Sequence, residues 1–311
     1  MTLNCLFILI ITHAVASYDN RVITTLKYSK NYDKSVKPVI VHGEIARNGD
    51  VPYMVSIKER EAKRFRKNIW RNHCGGSILK PKLVLSVAHC FENKDYKNPK
   101  TRDTLRAVAG DLLTDSKSNN SAGLSQWRDI DKIIVHKQYY FPVNDISLVI
   151  VREPWIFNNY VTFIPYARWN SDYMSWCLAS GYGDLMHGPR ALQSTRLLIA
   201  KLFVIPRHAC NELWDMNMNN FVCTTSTNAD VASGDSGGPL VCKGTPERRR
   251  ESPNGILVGV VCGKNFDKTT LFTRVSAYTK FIESAGCNLS SNVLFRFTII
   301  LFLVYYCSIF D

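Results

Sequence analysis

Short apolar stretches separated by polar turns run through the middle of the chain. "PYMVSIK" from Pro52, "GGSILKPKLVLSVA" from Gly75, "IDKIIVH" from Ile130, "ISLVIVR" from Ile146, "LLIAKLFVI" from Leu197 and "GILVGVVCG" from Gly255 are rich in β-branched and apolar residues. Turn formers follow each of them at short intervals, the pattern of an all-β sandwich or barrel. A helical period appears only in "RVSAYTKFIESAG", where Val275, Tyr278, Phe281 and Ile282 share a face and Gly286 closes the end. Sustained heptads and longer repeats are absent, which excludes coiled coils and solenoids. A chain of 311 residues, 46% of them hydrophobic, is enough for one or two compact globular units.

The two ends break this texture. "MTLNCLFILIITHAVAS" has an apolar core from Leu6 to Ile11 and small residues Ala14 and Ala16, so residues 1–16 read as a secretory signal cleaved after Ala16. It lacks the usual leading Lys or Arg, and a buried first helix is the alternative. Residues 17–39 are polar, lysine-bearing and free of cysteine, and read as a removable propeptide. At the far end Phe297 to Phe310 carry no charge, short for a spanning helix of about 20 residues. Ser284, Ala285 and Gly286, then the mostly polar "CNLSSNVLFR", precede that stretch. Small triplet, spacer and apolar tail is the order of a GPI-anchor signal. A transmembrane helix running back to Val293 or a last buried strand are the alternatives for the tail, residues 287–311. The expected location is therefore extracellular, at the cell surface.

Export places the ten cysteines in an oxidising compartment, where they are better read as disulfide partners than as metal ligands. No C-x-x-C spacing and no His or carboxylate cluster marks a metal site, and neither a metal nor another cofactor is expected. The net charge is +13, and two insertions, Lys58 to Arg71 and Lys243 to Gly255, are rich in charge. These read as solvated loops, with a polyanionic glycan as the partner they would attract. They lack the interleaved aromatics of a nucleic-acid platform. Asn119 and Asn288 head glycosylation sequons, the second lost if an anchor signal is cut upstream of it.

Three distant stretches fit one mechanism: "SVAHC" with His89, "NDISLV" with Asp145 and "GDSGGP" with Ser236. A serine hydroxyl is a weak nucleophile near neutral pH, so it needs a base to take its proton and a carboxylate to orient that base. Histidine suits the base because its pKa lies near neutrality. In the order His, Asp, Ser with these flanks, the chain resembles the chymotrypsin/trypsin family of serine proteases. The resemblance runs from Ile40 to Gly286 through "IVHGEIARNGDVPYMVSI", "HCGGSIL", "CLASGYG" and "LFTRVSAY".

That resemblance implies a single protease domain over 40–286, two six-stranded antiparallel β-barrels with a C-terminal helix and the site in the cleft between them. It implies His89 as general base and acid, Asp145 as its orienting partner and Ser236 as nucleophile. The backbone N–H groups of Gly234 and Ser236 would form the oxyanion hole. It pairs Cys74 with Cys90, Cys177 with Cys242 and Cys210 with Cys223, and leaves Cys262 and Cys287 without a family partner. Protein or peptide substrates and macromolecular inhibitors are the implied partners.

The chain departs from the family at its pocket and its activation site. Ala232 replaces a bridged cysteine beside a shortened loop, "KNFDKTT". Asp230 falls where trypsin-like members carry the carboxylate that selects Arg or Lys. Thr270, however, stands where a glycine usually keeps that pocket open, so it either narrows the slot or caps Asp230. "VVCGK", with Gly263, replaces the usual substrate-pairing strand. In the family, a cut after Arg or Lys frees the Ile-Val terminus to pair with the aspartate before the serine, here Ile40 and Asp235. The preceding residues are Lys37, Pro38 and Val39, which offer no bond to a trypsin-like activator and point to an elastase-like cut after Val39. The expected function is a serine endopeptidase with a preference for Arg or Lys. The alternative is a catalytically silent homologue acting as an adaptor or binding protein.

Overall fold

The structure is a computed structural model, and it describes residues 43–61, 69–117, 124–184, 193–215, 217–225, 230–231, 233–264 and 269–284. Residues 1–42 and 285–311, which hold the expected signal, propeptide, Ile40, Cys287 and tail, lie outside them, as do Asn119 and Ala232.

The chain enters along β1 (Glu44–Ile45) and builds a first sheet from β2 (Met54–Arg60), β3 (Ile69–Lys80), β4 (Leu83–Ser86), β5 (Leu105–Ala109), β6 (Asp115–Lys117), β7 (Gln126–Val135) and β8 (Ser147–Val151). The order β2-β5-β7-β8-β4-β3 closes on itself through β2–β3 pairing, giving a six-stranded barrel with β6 attached outside β3. A second sheet follows from β9 (Trp176–Gly181), β10 (Leu198–Phe203), β11 (Phe221–Thr224), β12 (Pro239–Cys242), β13 (Ile256–Lys264) and β14 (Thr270–Arg274). Its order is β10-β9-β12-β13-β14-β11, with β1 added along the outer edge of β10. A bridge between Val204 and Thr224 brings the chain leaving β10 against β11, so this sheet also curls round on itself.

The pattern of burial explains the strands. In β10, Leu198, Ala200 and Leu202 are buried while Ile199, Lys201 and Phe203 are less so, the two-residue period of a sheet with one covered face. Strands β4 and β8 are buried at every position, which is why they read as unbroken apolar runs. Leu83, Leu85, Leu105 and Leu148 are wholly buried in the first barrel. Burial of each such side chain contributes about 1.5–3 kcal/mol.

Two features differ from the sequence-based expectation. Helical structure is not confined to the C-terminal segment, where a 3-10 turn at Val275–Tyr278 leads into a helical stretch at 279–284. A one-turn helix, α1 (Pro99–Arg102), and a longer one, α2 (Arg207–Trp214), are also present. The α2 helix starts after Pro206 and buries only Cys210 and Trp214, four residues apart, so its period is too short to stand out. Its C-cap, Asp215, takes the left-handed conformation at φ 51°, donating its N–H to the Asn211 carbonyl.

The first charged insertion is likewise not simply a solvated loop. Lys58 to Arg60 belong to β2, and the Lys58 side chain is fully buried. Its ammonium donates to the carbonyls of Leu113 (2.6 Å) and Thr114 (3.0 Å) and to Ser116 Oγ (2.8 Å), and pairs with Asp111 Oδ2 at 3.0 Å.

Disulfides join Cys74–Cys90, Cys177–Cys242 and Cys210–Cys223, the pairs that the resemblance implies. Among the described residues no helix is long and apolar enough to cross a membrane.

Candidate active site

His89 sits on a 3-10 turn three residues beyond the end of β4, and Asp145 two residues before β8, the strand that pairs with β4. Their strands therefore deliver the two side chains to the same edge of the first barrel. Asp145 is fully buried and accepts twice from one residue: Oδ1 from the His89 backbone N–H at 2.9 Å, Oδ2 from Nδ1 at 2.7 Å. A carboxylate partner at Nδ1 assigns the proton to that nitrogen and leaves Nε2 as the basic one. The Phe141 ring packs edge-on against the imidazole, centroids 5.5 Å apart, closing its other side.

Asp145 has a further neighbour that the sequence did not connect with it. Cys262 on β13 is buried and carries a free thiol. Burial first, then the nearby Asp145 carboxylate, push that thiol well above its ordinary pKa. It therefore stays protonated, and its S–H donates to the Pro142 carbonyl at 3.9 Å. The Asp145 backbone carbonyl accepts from Thr273 Oγ1 at 2.8 Å, fixing the residue from the second barrel.

Ser236 reaches this edge from the other barrel. Gly75 N–H donates to the Ser236 carbonyl at 2.7 Å, and Gly75 follows Cys74, which is bridged to Cys90 beside His89. The approach is close enough that a Cβ on Gly75 would lie 2.7 Å from the Gly238 nitrogen, and one on Gly237 (φ 82°) 2.4 Å from the Gly75 carbonyl oxygen. Both positions require glycine. Among the described residues, neither the Ser236 hydroxyl nor His89 Nε2 has a hydrogen-bond partner; such contacts commonly tighten only when substrate binds.

Four consecutive carbonyls in this loop are each held. Ser233 C=O accepts from Asp184 N–H (2.8 Å), Gly234 C=O from Asn72 Nδ2 (2.9 Å), Asp235 C=O from Gly238 N–H (2.8 Å) and Ser236 C=O from Gly75 N–H (2.7 Å). A trans peptide directs its N–H opposite to its C=O. Fixing the carbonyls of Ser233 and Asp235 therefore fixes the opposite direction of the N–H groups of Gly234 and Ser236. Gly234, at φ 94°, supplies the left-handed backbone this turn needs. Asn72 is itself oriented by Ser56, whose hydroxyl donates to its Oδ1 at 2.8 Å. Nothing in "RNHCGG" marked Asn72 as part of the site.

Asp235 is 1% exposed, and Gly183 N–H donates to its Oδ1 at 2.7 Å. Its carboxylate fills the space that side chains at 181 and 183 would occupy: a Cβ on Gly181 would lie 2.0 Å from Oδ1. Asp230 is buried too; its Oδ1 accepts both the Val231 N–H at 2.9 Å and the hydroxyl of buried Thr270. Of the two arrangements expected for Thr270, the structure has the cap. Thr270 pairs with Lys264 on β13, while Val261 on the same strand bonds Gly237 and Gly238 beside the serine. Three residues of strand separate the two points, about 10 Å. Gly263 lies between them, opposite Leu271.

Among the described residues no group of three His, Cys, Asp or Glu side chains is placed to hold a metal ion. The arrangement brings an imidazole oriented by a buried carboxylate on the first barrel toward a serine in a loop of the second whose carbonyls are held.

A family model described as trypsin matches residues 40–282. The heavy chain of a venom peptide isomerase from Agelenopsis aperta is 27% identical over 264 residues, covering 78% of this chain and 98% of that protein. A urokinase-type plasminogen activator from Gallus gallus is 31% identical over 227 residues, 68% of this chain and 50% of its own length. An ovochymase from Halocynthia roretzi is 29% identical over 230 residues, 71% of this chain but 14% of its own length. The chain thus spans nearly all of one relative and only part of the other two.

Proposed function

The chain belongs to the trypsin family of serine proteases, and from that premise we propose that it is a serine endopeptidase hydrolysing protein or peptide bonds through an acyl-enzyme. The two-point docking of His89 on buried Asp145, opposite a loop whose carbonyls are all held, is the observation that carries this reading.

In the proposed reaction His89 Nε2 takes the Ser236 proton as Oγ attacks the scissile carbonyl. The Nδ1 proton remains shared with Asp145, which stabilises the imidazolium without accepting the proton. The oxyanion then accepts from the N–H groups of Gly234 and Ser236, each worth about 3–4 kcal/mol in comparable sites. His89 returns the proton to the leaving amine, and a water activated by the same imidazole releases the acyl group and regenerates the serine.

Asp230 supports a preference for Arg or Lys before the scissile bond, and Gly263 on β13 offers substrate backbone an unobstructed strand. Asp235, buried in its glycine-lined slot, is suited to pair with an amine freed at Ile40, which makes residues 17–39 the propeptide of a zymogen. Residues 1–16 support secretion, and the apolar tail supports attachment at the cell surface. Exposed Arg248 and Arg249 in the second charged insertion are suited to a polyanionic glycan.

The test is peptide turnover by the full chain carrying Val39→Arg, which makes the bond before Ile40 cleavable by immobilised trypsin. The cut protein should hydrolyse peptides, and Ser236→Ala or His89→Ala should each lose about 10⁴-fold or more in kcat. The second reading, a homologue that binds peptide without cutting it, is favoured by Pro38-Val39 at the activation bond and by the capped Asp230. One relative, moreover, is named for isomerising a peptide. That reading expects no turnover in the cut form.

A further inference from the structure

We propose that the segment from Arg168 to Trp176 is a membrane-contact strap, which seats the domain on the phospholipid surface that holds its tail; this rests on reading residues 287–311 as a membrane attachment. The segment leads into β9 and turns three large apolar side chains to solvent: Trp169 is 56% exposed, Met174 61% and Trp176 53%. Within it only Tyr173 is buried. Met174 holds φ at 35°, a conformation that costs a bulky residue energy, and no burial of its side chain repays that cost. Trp176 packs edge-on against Phe203, centroids 5.4 Å apart, which steadies the ring without covering it. Indole, an apolar body with one N–H donor, is suited to the headgroup zone of a bilayer.

The neighbours of the strap say what it faces. Arg168 pairs with Glu283 at 2.8 Å, one residue before the described residues end at Ser284. The uncharged run that starts at Phe297 begins thirteen residues further on, so a bilayer holding it lies within about 45 Å of Ser284 at full extension. A lipid attached at Ser284 to Gly286 would lie closer still. Tethering at that range raises the effective concentration of lipid at the strap, so that weak interfacial contacts suffice. Charge at the margin favours the same occupant. Buried Glu247 accepts from the N–H groups of Arg168 (2.9 Å) and Trp169 (2.8 Å), which sets the turn Arg248–Arg250 against the strap. The acidic groups are engaged within the protein: Glu247 with Arg250 (3.4 Å), Asp172 with Arg207 (3.7 Å) and Arg274 (3.8 Å), and Glu251 with the N–H groups of Gly244 (3.0 Å) and Thr245 (2.6 Å). Arg248 and Arg249 are exposed and suited to headgroup phosphates. A basic margin beside exposed Trp and Met is the composition of an interfacial segment. A glycan would engage the arginines but leave Met174 and Trp176 in water.

The experiment measures tryptophan emission of the full chain on phosphatidylcholine vesicles, with and without bromine on the acyl chains near the headgroups. The tail has no Trp, and Trp70, Trp155 and Trp214 are buried, so quenching by bromine reports chiefly on Trp169 and Trp176. The parent should be quenched, and the effect should fall about threefold or more in the double variant Trp169→Phe, Trp176→Phe. Met174→Asp keeps both indoles but sets a charge between them, in a backbone conformation that Asp tolerates, and should lower quenching about twofold or more. Urea midpoints matching the parent's show that these variants are folded. Quenching as strong in Met174→Asp as in the parent, or none in a parent that floats with the vesicles, would overturn the proposal. Absent quenching together with heparin retention that is lost in Arg248→Ser, Arg249→Ser would overturn it in favour of a glycan. Failure of the tail reading has a different signature: the full chain does not float. A histidine tag placed after Asp311 then tethers it to nickel-chelating lipids, and the same comparison decides the strap: quenching that falls in the variants supports it, and none refutes it.

Discussion

The side-chain amide of Asn72 does its work at one remove from the chemistry. It holds the Gly234 carbonyl at 2.9 Å and is held in turn by Ser56. Removing it releases one of the four anchored carbonyls and lets the peptide beside the proposed oxyanion donors turn. Asn72→Ala should therefore lower kcat by on the order of tenfold with KM little changed, less than the 10²–10³ of deleting a donor outright. Steady-state kinetics on the cut Val39→Arg protein reads this. A rise in KM at constant kcat would place Asn72 in substrate binding instead.

Between elements, the buried ammonium of Lys58 ties the two barrels together. It organises residues 111–116, and this segment in turn holds Tyr182 just past β9 and Ser194 to Leu197 leading into β10. Tyr182 hydroxyl donates to the Asp111 carbonyl, Thr114 Oγ1 to the Ser194 carbonyl at 2.5 Å, and Leu197 N–H to the Leu112 carbonyl at 2.8 Å. Gly183 and Asp184, next along from Tyr182, are the residues that bond Asp235 and Ser233. Lys58→Met would strand the Asp111 carboxylate, at 11% side-chain exposure, without its cation. The expected loss is about 3–5 kcal/mol by urea denaturation, as for other broken buried pairs. Adding Asp111→Asn should restore much of it, and a single variant as stable as the parent would refute the clamp. The sequence conceals this because charge runs such as Lys58 to Arg71 ordinarily mark solvent, and because the acceptors are backbone carbonyls more than fifty residues away. The same limit hid α2, whose eight residues bury only two side chains. Strands with a clear apolar pattern, by contrast, were legible, as was the pairing of His89 with Asp145 through their flanking motifs. Thr270 was legible as a departure but not as a cap, since hydrogen-bond direction is a matter of geometry.

At the scale of the whole molecule, the two barrels meet through backbone. Gly75 on β3 bonds Ser236, and Thr273 on β14 bonds Asp145, so each barrel fixes a residue that the other presents. In the proposed mechanism the base and its carboxylate come from the first barrel and the nucleophile from the second. The proposed activity would consequently depend on how the barrels are registered against each other and on how the Asp235 charge is compensated. The central claim, that Ser236 is a competent nucleophile controlled by cleavage before Ile40, is most directly read by fluorophosphonate labelling of the Val39→Arg full chain before and after cutting, with the adduct mapped by mass spectrometry. The account predicts a single adduct on Ser236 in the cut protein, little or none in the uncut protein, and none in Ser236→Ala. A folded, cut protein that fails to label, or an adduct elsewhere that persists in Ser236→Ala, would contradict it.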